Sequence, residues 1–159
     1  MNPALKVNRD PKVLSKLEEY IAHSSDPELI KWWAGYCESI GQYDKARRFY
    51  HRAENYFSLV RIACFNREIP RAKNIVEETN NAAAAYYLAR YLEGMTEVQE
   101  AISYYAQSGC YNHAIRLAKN FGLDSELMSY AIKSRPSLMV EFGQHNFTPF
   151  LKSENFANL

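Results

Sequence analysis

The chain repeats itself with an offset of fifty-five residues. The segment YDKARRFYHRAENYFSLVRIA, which starts at Tyr43, aligns without a gap on VQEAISYYAQSGCYNHAIRLA, which starts at Val98. The matched pairs are Ala46 and Ala101, Tyr50 and Tyr105, Tyr56 and Tyr111, Val60 and Ile115, Arg61 and Arg116, Ile62 and Leu117, and Ala63 and Ala118. Self-similarity at a fixed period of this kind is typical of proteins that stack equivalent helical units. It predicts an all-α fold, a right-handed α-solenoid of about five helical hairpins.

Small and aromatic residues recur within the repeat at helical spacing. Ala46, Tyr50 and Ala53 fall on one helical stripe, and a small residue beside an aromatic one lets neighbouring helices approach to about 8–10 Å. Ala72 follows Ala46 after twenty-six residues, so half of the repeat corresponds to one hairpin of two helices. The pattern Gly-x-Tyr-x-x-Ala-x-x-x-Tyr-x-x-Ala begins at Gly41 and resembles the second helix of a tetratricopeptide-repeat (TPR) hairpin.

Prolines, glycines and capping residues divide the chain into segments of about a dozen residues. Asp10-Pro11 and Asp26-Pro27 each predict a helix start, because the carboxylate caps the helix and proline suits its first position. Thr96 followed by Gln99 predicts a capping box. The predicted helices end near Ile40, Ala53, Asn66, Thr79, Glu93, Ser108, Phe121 and Ser134. No segment has the alternation expected of a strand.

Composition excludes several classes of protein. Nineteen basic and eighteen acidic residues leave a net charge of +1, so no global field attracts nucleic acid or an anionic membrane. The three cysteines, Cys37, Cys64 and Cys110, form no Cys-x-x-Cys pair, which favours a reducing compartment over a disulfide framework. The longest charge-free apolar run, residues 82–89, is far shorter than the roughly 20 residues of a membrane-spanning helix. We therefore expect no direct membrane insertion.

No pattern of residues predicts catalysis or cofactor binding. Cys110 and His113 stand three apart, but zinc sites need three or four protein ligands, and the sequence has no second pair with ligand spacing. It also has no glycine-rich phosphate loop, no Gly-x-Ser-x-Gly elbow and no clustered pair of carboxylates. We therefore predict a protein that is not an enzyme and has no catalytic residue, metal, cofactor or small-molecule substrate.

The basic run KARRFYHR, residues 45–52, interleaves cationic and aromatic side chains as RNA-binding helices do. On a helix, however, Arg48 and Arg52 lie opposite the stripe that contains Ala46 and Tyr50, and like charges alone make a solvated face. We interpret this face as solvent-exposed or as a contact with a partner protein, and we do not expect nucleic acid to bind there.

The two adjacent tryptophans also carry a prediction. Trp32 and Trp33 point about 100° apart on a helix, so one belongs in the core and the other is a candidate contact residue. Arg61 and Arg116 recur at the same repeat position, which predicts either contact residues or a buried ladder of polar contacts to the next hairpin. The candidate protein-contact residues are Trp32, Arg48, Arg52, Arg61, Arg90 and Arg116.

Several stretches resemble one family more specifically than the generic repeat does. They are KWWA at 31–34, YFSLVRI at 56–62, AAYYLAR at 84–90, NHAIRL at 112–117, and the segment 122–128. Together they resemble the C-terminal TPR region of the 140-kilodalton subunit family of intraflagellar transport complex A, over about residues 29–141.

The resemblance implies a core scaffold of the retrograde ciliary train that packs against other complex A subunits, in the cilium or flagellum, at the ciliary base and in the cytoplasm. The family's WD-repeat propellers do not occur in this sequence, so the chain resembles a truncated or partial homologue. We expect an N-terminal helix and lead-in at residues 1–24, a TPR-like solenoid at 25–142, and a divergent, disordered tail at 143–159.

The predicted function is therefore non-catalytic protein–protein scaffolding in retrograde ciliary transport and cilium assembly. Two alternatives stay open from the residues alone: a generic helical-repeat adaptor and an RNA-binding helical-repeat protein.

Overall fold

The computed structural model describes residues 11–134, apart from the side chains of residues 127 and 128. This part of the chain folds into nine α-helices and contains no strand, which confirms the predicted all-α class. The helices are α1 (Pro11–His23), α2 (Pro27–Ser39), α3 (Tyr43–Arg52), α4 (Tyr56–Phe65), α5 (Ile69–Thr79), α6 (Ala82–Gly94), α7 (Val98–Gln107), α8 (Tyr111–Asn120) and α9 (Asp124–Ser134). All eight predicted helix ends lie within one residue of these bounds.

Successive helices pack as antiparallel neighbours, with α2 on α3, α6 on α7, and α8 on α9. After α1, the described part of the chain therefore contains four consecutive helix pairs; any fifth pair would lie outside it, as does the predicted tail at 143–159. The chain divides into two compact units, Met1–Ile75 and Val76–Leu159, and the division falls within α5. None of the described helices is long and apolar enough to cross a membrane.

Matching caps start the first helix of each repeat copy. Asp26 Oδ1 accepts hydrogen bonds from the N–H groups of Glu28 at 3.0 Å and Leu29 at 3.4 Å, with proline at the first helical position of α2. Fifty-five residues later, Asn81 Oδ1 accepts from the N–H of Ala84 at 3.0 Å and starts α6. The helix start predicted at Asp26 is confirmed, whereas Asp10 lies outside the described residues.

The helix ends share one hydrogen-bond pattern, the Schellman motif. At the end of α2, the Gly41 N–H donates to the Glu38 carbonyl at 2.9 Å and the Gln42 N–H donates to the Cys37 carbonyl at 2.8 Å. The equivalent two bonds close α3, α4, α6, α7 and α8. The left-handed residues at these six ends are Gly41, Glu54, Arg67, Thr96, Gly109 and Gly122. Within each copy they follow one another at thirteen-residue intervals, so every turn sets the next helix in the same register.

The predicted capping box at Thr96 and Gln99 is wrong. Thr96 has a φ of 64° and is the left-handed residue that ends α6. The residue that precedes α7 is Glu97, whose side chain makes no capping hydrogen bond. The backbone bonds of the Schellman motif outweigh the local preference of the threonine side chain for an N-cap.

Small residues bring the helices of each unit together. In the first unit, Ala46 is fully buried and Tyr50 almost so, and both belong to a cluster that includes Trp33 and Ile62. In the second unit, Ala101 and Tyr105 occupy the matched positions and are equally buried. The predicted stripe of small and aromatic residues is confirmed in both units.

Candidate protein-interaction surface

A shared carboxylate joins three helices of the first unit. Glu38 on α2 accepts a hydrogen bond from the hydroxyl of Tyr50 on α3 at 2.8 Å. The same carboxylate accepts a second bond from Nη2 of Arg61 on α4 at 2.6 Å. We refer to Glu38, Tyr50 and Arg61 as the first glutamate cluster. Because its three members come from three successive helices, it fixes both helix packings at once.

The second unit contains the same arrangement fifty-five residues later. Glu93 on α6 accepts from the hydroxyl of Tyr105 on α7 at 2.6 Å and from Nη2 of Arg116 on α8 at 2.8 Å. We refer to these residues as the second glutamate cluster. Sequence reasoning missed both glutamates, because the repeat alignment began five residues after the first of them. Extending that alignment backwards pairs Glu38 with Glu93 and would have found them.

The ionisation of the clusters follows from these bonds. Burial raises the pKa of Tyr50 and of Tyr105, and the hydrogen bond to the glutamate raises it further, so each phenol stays protonated and donates. Burial opposes ionisation of Glu93, but the hydrogen bonds from Tyr105 and Arg116 prevail and lower the pKa of its carboxyl. The second cluster is thus held as a carboxylate that accepts two bonds.

Two of the six predicted contact residues therefore hold the repeat together. Arg61 and Arg116 are only partly exposed, and their guanidinium groups are bonded to Glu38 and Glu93. This corresponds to the ladder of polar contacts that their spacing left open. Their role in contacts with a partner stays a prediction.

Arg52 also binds within the fold. Its guanidinium donates to the carbonyl oxygens of Ile21 at 3.1 Å and Ala22 at 2.8 Å, and to that of Ser24. These carbonyls lie at and just beyond the end of α1, where the helix leaves its last acceptors without intrahelical partners. A cation at this end also interacts favourably with the helix dipole. Arg52 therefore ties α3 to α1.

The other cationic side chains of the basic run are mostly paired. Lys45 contacts Glu18 at 2.7 Å, and Arg47 contacts Glu68 at 2.6 Å. Arg48 is exposed and has no hydrogen-bond or ion-pair partner among the residues that the structure describes. One unpaired arginine offers little to a phosphate backbone, whose binding requires several cations. The geometry therefore favours a protein contact over RNA at this face.

The tryptophans divide as the sequence predicts. Trp33 is 2% exposed and lies in the core of the first unit, whereas Trp32 is 41% exposed on the surface of α2. The ring of Tyr36 stacks between them, 6.3 Å from Trp32 and 5.1 Å from Trp33. Trp32 is therefore a rigid aromatic side chain on the surface, the type favoured at interface hot spots. The indole Nε1 of Trp33 is buried without a hydrogen-bond partner.

The remaining predicted residue, Arg90, is exposed on α6 of the second unit and has no partner among the described residues. Four of the six predicted residues lie in the first unit and two in the second. The structure thus leaves Trp32, Arg48 and Arg90 presented to solvent and assigns fold contacts to the other three.

The cysteines and histidines form no site in the described part of the chain. No group of three His, Cys, Asp or Glu side chains there has the geometry to hold a metal ion. Cys37 and Cys64 are buried, and burial raises the pKa of the Cys64 thiol to about 11. His113 instead stacks on the ring of Tyr105 at 4.9 Å. These residues act as packing groups.

Comparison with known proteins places the chain in a family. Residues 10–154 match the family model described as the IFT140/IFT172 TPR domain. Over 106 residues, 66% of this chain, the sequence is 30% identical to WD repeat-containing protein 19 of Homo sapiens, and equally to that of Mus musculus. The matched segment spans only 8% of the length of these relatives. With its repeated TPR-like hairpins and a match across most of its length, the chain belongs to the IFT140/IFT172 TPR-domain family.

Proposed function

We propose that this chain is a non-catalytic scaffold domain of intraflagellar transport complex A, acting at the cilium and ciliary base in retrograde transport and cilium assembly. The observation that carries the proposal is the family match across residues 10–154. The 30% identity to WD repeat-containing protein 19 supports it. Stacked helical hairpins with no clustered reactive groups in the described residues suit a role in which surfaces, and not chemistry, are used.

The contact surface that we propose is narrower than the set of residues predicted from sequence. Arg52, Arg61 and Arg116 hold helices together, so their substitution would disturb the fold and the surface at the same time. Trp32 and Arg48 are exposed on α2 and α3 of the first unit, and Arg90 is exposed on α6 of the second. Exposed tryptophan and arginine side chains are the residues that most often dominate binding energy at protein interfaces.

The proposal is tested by affinity purification of the tagged chain from ciliated cells, followed by mass spectrometry. We expect complex A subunits to be recovered with the wild-type chain. The variant that combines Trp32→Ala with Arg48→Glu should lose them while its far-ultraviolet circular dichroism spectrum stays unchanged.

Lys31→Glu provides the matched control, because Lys31 is an exposed neighbour of Trp32 whose ion pair, with Glu28, is long at 3.7 Å. This variant should recover the same subunits as the wild type. If the double variant recovers them undiminished, the assigned surface is wrong. If the wild-type chain recovers other proteins reproducibly, it is a generic adaptor, and the proposed transport role is wrong.

A further inference from the structure

The first unit displays a large aromatic side chain that its fold does not require. Phe65, the last residue of α4, is 71% exposed, and its ring lies 6.1 Å from that of Tyr43 at the start of α3. The matched residue of the second repeat copy is Asn120, which shows that the repeat tolerates a polar side chain at this position. Exposed apolar groups of this kind mark interaction sites when their surroundings complement a partner.

A groove of about 440 Å³ opens beside Phe65. The start of α3 lines one side with residues 41–45 and Arg47, and Asn66 and Glu68 line the other. Cavities of about 300–1,000 Å³ accommodate drug-sized ligands, so the groove has room for a single benzyl side chain. An exposed aromatic side chain and a groove that can hold one are therefore neighbours on the same unit.

The charges beside the groove are also complementary to each other. The side chain of Asp44 is 94% exposed and only 3.6 Å from its weak partner Arg47. Arg67, beyond Asn66, is exposed and has no ion-pair partner among the described residues. A two-fold axis would place each of these charges opposite the other on a second copy, because an isologous interface pairs residue i with j and j with i.

From these observations we propose that the first unit is a self-association surface, on which a second copy of this chain forms a two-fold dimer. Phe65 of each copy enters the groove of the other, and Arg67 pairs with the partner's Asp44. This goes beyond the proposed scaffold function, since the occupant is a second copy and not a different subunit.

The test is the mass of the purified chain, measured by sedimentation equilibrium across a dilution series. We expect a reversible dimer of twice the 18.4 kDa chain mass. Phe65→Asn, which inserts the residue of the second repeat copy, should weaken the dimer by about tenfold or more, the usual loss at an aromatic hot spot. Tyr20→Asn removes an aromatic side chain that is similarly exposed on α1 and should leave the dimer unchanged.

A charge swap tests the second contact independently. Arg67→Glu and Asp44→Arg should each weaken the dimer, and the chain that carries both substitutions should regain it, because the ion pair is restored with its sign reversed. A monomer at every concentration, or a dimer that Phe65→Asn leaves intact, would overturn the proposal. Failure of the double charge variant to regain the dimer would overturn the assigned pairing.

Discussion

The helices α2–α4 and α6–α8 are two copies of one unit that differ in how their space is filled. Both copies contain a glutamate cluster with the same three residue types and bonds of 2.6–2.8 Å. The apolar residue that packs nearby is Trp33 in the first copy and Leu88 in the second. Beside the tyrosine, the first copy has the buried Ser58 and the second has the stacked ring of His113. The polar contacts set the geometry of the repeat, and the apolar filling varies around them.

The largest effect is expected where the filling differs most. Trp33→Ala should destabilise the first unit by about 3–5 kcal/mol, because it leaves a large cavity in the core. Trp33→Phe should cost much less, since the buried indole N–H has no hydrogen bond to lose. Urea denaturation of the variants measures both, with Trp32→Ala as the exposed control that should cost less than about 1 kcal/mol. Equal losses for the two alanine variants would contradict the assignment of Trp33 to the core.

A smaller effect is expected at the glutamates. Glu38→Ala and Glu93→Ala should each destabilise their unit by about 1–3 kcal/mol, because a buried phenol loses its acceptor. Glu38→Ala should cost more, since the Glu38 side chain is 18% exposed and that of Glu93 is 30% exposed. Amide hydrogen exchange resolves the opening free energy of each unit separately. A larger loss at Glu93 would show that exposure does not decide the strength of these clusters.

The helix ends allow the two copies to be exchanged directly. Gly41 and Thr96 are matched left-handed residues, with φ of 76° and 64°. Thr96→Gly should stabilise the chain by about 0.5–1 kcal/mol, because a left-handed β-branched residue costs about 1–2 kcal/mol and glycine adds unfolded-state entropy. Gly41→Thr should destabilise it by a similar amount. Thermal unfolding of both variants checks the pair, and a stabilising Gly41→Thr would refute the common Schellman geometry.

The smallest effect concerns acid. The pKa of Glu93 is lowered in the folded chain from 4.5, so its contribution is present above that pKa and is lost as the pH falls through the folded value. The difference in unfolding free energy between the wild type and Glu93→Gln should therefore be constant near neutral pH and shrink below pH 4.5. Urea titrations at several pH values measure it, and a difference that grows in acid would reverse the assigned sign.

Local signals allowed much of this fold to be predicted. Prolines, glycines and small residues act through the backbone of their own segment, so the helix ends and the Ala46–Tyr50 stripe could be predicted from sequence. The adjacent tryptophans had to point in different directions, and which of them is exposed follows from packing. Thr96 misled because a backbone turn overrode its side-chain preference.

The contacts of the arginines could not be predicted in the same way. Arg52 binds carbonyl oxygens of α1 some thirty residues away, and main-chain acceptors leave no mark in a sequence. Glu38 lies 12 residues from Tyr50 and 23 from Arg61, so its role depends on the packing of three helices. Arginines predicted as a surface therefore proved to include three that hold helices together.

A double-mutant cycle tests most directly whether the two glutamate clusters do equivalent work. The cycle combines Glu38→Ala with Tyr50→Phe in the first unit, and Glu93→Ala with Tyr105→Phe in the second, with unfolding free energies measured for every single and double variant. We predict a coupling energy of at least about 0.5 kcal/mol in both units, the range found for residues in one hydrogen-bond network. Strictly additive losses in either unit would contradict the conclusion that the repeated clusters hold the repeat together.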